Sequence, residues 1–109
     1  MNSVEFYVRN VLTSPAGETL VIGVPNNGEA LALGARFGVR YEVSRDDVMS
    51  GTPNPVRLNS VDIDLVVEKI DVMRQNVQQV SHGVTAALSL SGSGLEHVTV
   101  GCFLRTKEQ

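Results

Sequence analysis

The stretch Ala35-Arg36-Phe37-Gly38-Val39-Arg40-Tyr41-Glu42-Val43 alternates apolar with polar side chains: Phe37, Val39, Tyr41 and Val43 on one side, Arg36, Gly38, Arg40 and Glu42 on the other. Successive side chains of an extended strand point to opposite faces, so this period of two predicts a strand with one buried and one wet face. It is the clearest pattern in the chain. No strongly amphipathic helix competes with it, and the neighbouring segments are therefore read as further strands of the same sheet.

Upstream, Val4 to Leu12 is rich in β-branched and aromatic residues and stops at the turn formers Thr13-Ser14-Pro15-Ala16-Gly17. Thr19 to Val24 is a second such run, closed by Pro25-Asn26-Asn27-Gly28, and the two runs predict a hairpin. A short apolar stretch, Ala30 to Gly34, leads into the central strand. Downstream, Ser44 to Ser60 holds Asp46-Asp47, Gly51, Pro53, Pro55 and Asn59, a mixture that interrupts strand ladders and long helices alike. It predicts the longest loop, with a helical turn near Arg45 to Met49.

Val61 to Val72 alternates acidic and apolar residues, which predicts a strand with a charged outer face. Met73 to Val80 reads as a connector or one helical turn. The last third, Gly83 to Leu90, Ser91 to Gly94, then Val98 to Leu104, reads as strand, turn, strand. Six or so strands punctuated by Gly and Pro argue for closure, which removes exposed edges. The expected fold is all-β: a single small closed six-stranded-type barrel occupying 1–109 as one domain, without internal repeats or linkers.

At 109 residues the chain is long enough to close one hydrophobic core without disulfides or metals. Its 42% apolar and 19% charged residues are ordinary for a globular domain. The lone Cys102 lies in an apolar run and is expected to act as a small buried hydrophobe. No apolar stretch approaches the roughly 18 residues that span a bilayer, and the first residues do not read as a signal peptide, so a cytoplasmic protein is expected. The net charge of −3 opposes the counterion-release attraction that carries nucleic-acid affinity, and the arginines are scattered among acids.

Loops longer than ordinary connectors are more often functional, which makes Ser44 to Ser60, with Arg45, Asp46, Asp47 and Arg57, a candidate binding element. Asp46-Asp47 lacks the spaced oxygen ligands of a calcium loop and reads as a solvated acidic turn. His82 and His97 would need a third ligand such as Glu96 or Asp71 to hold a metal, and their spacing matches no metal pattern. Ser89 to Gly94 is read as a hairpin turn in preference to an anion site. No Ser/His/Asp or Cys/His grouping carries a local signature. Neither enzyme activity nor a cofactor or metal is expected.

The order of apolar residues and glycines resembles the β-barrel that follows the nucleotide-binding domain in elongation factor Tu, elongation factor G and bacterial initiation factor 2. In the first half the resemblance runs through Phe6, Val8, Val11, the turn Ser14 to Gly17, Thr19, Val21, Gly23, Val24, Gly28, Leu31, Leu33, Gly34, Phe37 and Val39. In the second it runs through Val66, Ile70, Arg74, Val77, Val80, Gly83, Ala86, Leu88, Leu90, Gly92, Val98, Gly101 and Leu104. It covers about 5–105.

The resemblance implies a rigid platform with no chemistry of its own, contacting ribosomal RNA, the aminoacyl end of a transfer RNA or neighbouring domains. Arg74 is the one cation placed where that family commonly has one, and the family's basic turn after the second strand is replaced by Val24-Pro25-Asn26-Asn27-Gly28. No G-x-x-x-x-G-K-[ST] phosphate loop occurs in the chain, which excludes GTPase activity. The expected function is a stand-alone, non-enzymatic binding module for a protein or ribonucleoprotein partner, with Arg74, Arg45, Asp46, Asp47 and Arg57 as binding residues. The alternative is an assembly protein forming homo-oligomers through strand edges or an apolar rim. A small-ligand barrel is a third reading, against which stands a core small enough to be filled by its own side chains.

Overall fold

The computed structural model describes residues 3–27, 29–44, 49, 51 and 56–107. Among them nine strands occur: β1 (Glu5–Thr13), β2 (Thr19–Pro25), β3 (Leu31–Ala32), β4 (Arg36–Val43), β5 (Arg57–Val72), β6 (Gln75–Val77), β7 (Gln79–Val80), β8 (Ala86–Ser93) and β9 (Phe103–Thr106). One turn of 3-10 helix, Leu95–His97, precedes β9. All pairings are antiparallel. Six strands run in the order β4-β9-β1-β2-β8-β5, and β5 pairs back onto β4, which closes the barrel. The expected all-β closed barrel is the observed fold.

The β1–β2 hairpin forms as its sequence predicts, with Tyr7 opposite Val24 and Thr13 opposite Thr19. Gly23 sits where β2 crosses β1 so closely that a Cβ would lie 1.9 Å from the carbonyl oxygen of Tyr7. No other residue fits there. The barrel interior is filled by Phe6, Val8, Val21, Phe37, Leu65 and Leu88, all without solvent exposure, with the Phe6 and Phe37 rings 6.2 Å apart. Burying each large apolar side chain contributes about 1.5–3 kcal/mol. A two-stranded sheet of β3 and β7 puts Leu31 opposite Val80, both buried in the same core cluster.

Four expectations need correction. The segment Met73 to Val80 is neither a connector nor a helical turn: Met73 and Arg74, both left-handed at φ 52° and 67°, reverse the chain into β6, which pairs with β5. The loop expected to run to Ser60 ends earlier, because β5 begins at Arg57 and pairs Arg57 with Val43 and Leu58 with Glu42. Asn59, left-handed at φ 53°, lies at a register shift that lets the ladder continue through a polar segment.

Thirdly, Ser89 to Gly94 is not a hairpin turn. β8 runs to Ser93 and lies between β2 and β5, whereas β9 lies between β1 and β4. Gly92, at φ 127°, pairs with Leu65 where a Cβ would meet the Asp64 carbonyl oxygen at 2.0 Å. The glycine that suggests a turn is there for a close strand crossing. Lastly, β9 is shorter than the predicted Val98 to Leu104 strand and is shifted towards the C-terminal side.

Candidate functional site

The end of β4 and the start of β5 form a ribbon, with Glu42 opposite Leu58 and Val43 opposite Arg57. The alternation that predicts β4 breaks inside it. β4 falls out of step with β9 and β5 around Gly38, and with β5 again beside Tyr41. A bulge of one residue exchanges the two faces of a strand. Phe37 therefore faces the core while Arg40, expected on the wet face, is buried and sits opposite the core residue Leu104.

Arg40 satisfies its guanidinium inside the rim. It donates to the carbonyl oxygen of His97 at 2.7 Å, the carbonyl oxygen of Asn59 at 3.1 Å and Thr99 Oγ1 at 2.8 Å. It also pairs with Glu42 at 2.7 Å. One cation thus ties β4, β5 and the segment before β9 together. The bonds from Arg40 and Asn59 hold the Glu42 carboxyl below the usual carboxylate range. Burial pushes the Cys102 thiol up, as befits the structural role expected of it.

The same change of phase puts Tyr41 on the outside of the barrel, where it is nonetheless buried at 1% exposure. Its ring stacks on Phe103 at 5.7 Å and 13°, and Phe103 packs on Tyr7 at 5.0 Å. The Tyr41 hydroxyl donates to Glu5, which Arg105 approaches at 3.6 Å. The Arg57 guanidinium lies 4.6 Å from the centre of the Tyr41 ring, a cation–π contact. Large apolar side chains nearby in the chain are exposed: Met49 at 77%, Val56 at 68% and Leu58 at 43%.

Of the residues singled out in the sequence, Arg57 is placed on this ribbon. Arg74 is at the β5–β6 turn, at the other end of the long strand β5, next to Met73 at 90% exposure. The structure does not bring the two arginines together. Arg45, Asp46 and Asp47 lie outside the described residues. Among the described residues no three His, Cys, Asp or Glu side chains gather as metal ligands. The His97 ring is 3.7 Å from Glu96, and Asp71 pairs in register with Asn76 and Ala87. Arg40 and Tyr41 were not legible as site residues, because the bulge that places them leaves no mark in an unbroken alternation.

Two solved structures share the architecture, both of translation elongation factor SelB from Methanococcus maripaludis, one in the apo form and one in complex with the GTP analogue GppNHp. Each matches at a TM-score of 0.62 and 15% identity over 97% of this chain. The chain carries the second-domain barrel fold of translation factors. It spans 19% of the SelB chain. Neither a protein-family model nor a curated protein matches the translation-factor-type barrel by sequence. Among its described residues no helix is long and apolar enough to cross a membrane.

Proposed function

We propose that this translation-factor-type barrel is a non-catalytic, cytoplasmic binding module that engages a protein or ribonucleoprotein partner through the β4–β5 ribbon. The observation that carries the reading is the contrast between the ribbon's root and its end. Arg40 fixes the root with three hydrogen bonds and an ion pair, while Val56 and Leu58 at the end present apolar side chains to solvent. Apolar surface held on a rigid support is what a docking site offers. SelB, a translation elongation factor, supplies the precedent for such a barrel in translation.

The test is affinity capture from extract of the source cells, at low and high salt and with and without nuclease. Val56→Ser/Leu58→Ser is compared with Met73→Ser/Arg74→Ser at the opposite end of β5. Loss of the captured partner in the first variant alone is the expected result. Retention there, with loss in the second, would move the site to the β5–β6 turn. RNA released by raising salt would mark a ribonucleoprotein partner.

A further inference from the structure

Asn27 and Gly28 form the only Asn-Gly step in the chain. In such a step the backbone nitrogen of the glycine can reach the Cγ of the asparagine, because glycine has no Cβ to obstruct the approach. The other asparagines are less open to that attack. Asn10, Asn59 and Asn76 lie in β1, β5 and β6, held by their ladders, and Asn10 and Asn76 are followed by β-branched valines. Asn54 precedes Pro55, which has no N–H to give up, and Asn2 precedes the buried Ser3. Asn26 is tied by its own N–H to the Glu5 carbonyl oxygen at 2.9 Å. Asn27 lies beyond the end of β2, exposed and outside every strand. Gly28 lies outside the described residues, and its contribution is a backbone nitrogen without a neighbouring side chain.

The Asn27 carboxamide has a structural task. Its Nδ2 donates to the carbonyl oxygen of Ser3 at 2.8 Å. On the other side of the same peptide unit, the Val4 N–H donates to Thr106 Oγ1 at 2.7 Å. The peptide between Ser3 and Val4 is thus clasped at both of its polar groups just before β1 begins.

We propose that Asn27 is a site of spontaneous deamidation, and that the reaction opens the clasp at Ser3. The Gly28 nitrogen bonds to Cγ of Asn27 as its proton passes to solvent, the Cγ–Nδ2 bond breaks, and ammonia leaves behind a cyclic succinimide. Water then opens either ring carbonyl, giving aspartate or isoaspartate at 27. The net change is water added and ammonia lost, with nothing oxidised or reduced. The new carboxylate is ionised at neutral pH and carries no N–H. An oxygen then faces the Ser3 carbonyl oxygen where a donor stood, and one more negative charge joins the net charge of −3.

The experiment incubates the intact chain at mildly alkaline pH and body temperature and follows it by peptide-mapping mass spectrometry, with isoaspartate detected by enzymatic methylation. Conversion at residue 27 ahead of every other asparagine is expected, lost in Asn27→Gln and slowed in Gly28→Ala, whose methyl hinders the attack. Faster conversion at Asn10 or Asn59, no conversion at all, or an unchanged rate in Gly28→Ala overturns the site. The consequence is read separately in Asn27→Asp, which carries one of the two products from the start. Amide exchange at Val4 is expected to quicken by up to about tenfold, the effect of losing one hydrogen bond on its peptide unit, while exchange at Val21 in the core keeps its wild-type rate. An unchanged rate at Val4 would show that the carboxamide holds nothing there, and an equal rise at Val21 would mark global destabilisation; either result overturns the opening of the clasp.

Discussion

Gly23 and Arg40 show how much of this fold rests on single positions. Adding one methyl at Gly23 drives a Cβ into the Tyr7 carbonyl and the Phe6 ring, both fixed in the β1–β2 crossing. Gly23→Ala is expected to cost about 3 kcal/mol, the upper part of the usual overpacking range, read as a lower urea midpoint. Arg40→Met removes the donor for two carbonyls and a hydroxyl and leaves Glu42 with Asn59 alone. Its expected cost is about 2–3 kcal/mol by the same measurement, held down because the Glu42 side chain is 40% exposed and can turn to water. Cys102 was legible from its apolar neighbours. Arg40 was not, because alternation reports a face only while the register is unbroken.

At the scale of elements, the strands that alternate or pair locally were readable, and those shaped by distant crossings were not. β1, β2 and the main part of β5 carry their own signal. The β5–β6 hairpin does not, because Met73 and Arg74 adopt left-handed conformations that glycine or asparagine normally occupies in such a turn. Met73→Asn/Arg74→Gly is therefore expected to raise stability by about 1 kcal/mol in thermal unfolding. Unchanged or lower stability would show that the two side chains make contacts that offset their backbone cost.

The ribbon carries a pH signature as well. A carboxyl whose folded pKa lies below its unfolded value adds stability above the unfolded value and loses it as pH falls through the folded one. Glu42, lowered from a reference of 4.5, belongs to this class. The stability difference between wild type and Glu42→Gln is thus expected to be present at neutral pH and to fade under acid, in urea titrations across that range. A difference that grew on acidification would contradict the Arg40–Glu42 assignment.

For the molecule as a whole, closure decides what remains available for association. Six strands satisfy one another around the barrel, leaving β6 and the short β3–β7 sheet as peripheral edges. Light scattering at high protein concentration is expected to give the mass of a single chain, 11.7 kDa; a concentration-dependent dimer would favour assembly through an edge. The barrel as a whole was visible in the sequence because strand number, turn composition and the lack of helix agree with one another. The position of the last strand was not, since the only hint, a serine- and glycine-rich segment, also fits a local turn.

That position bears on how the protein is made. β9 comes last in the chain among the nine strands described, yet it lies between β1 and β4 and pairs with the edge of each. Until Phe103 to Thr106 emerges, β1 and β4 each present an unpaired edge, and the nascent chain is an open sheet. Vectorial synthesis can prepare the hairpins in sequence, but completion of the barrel has to wait for its final four-residue strand. The barrel's aggregation hazard therefore belongs to the open sheet that precedes β9, before the keystone is in place.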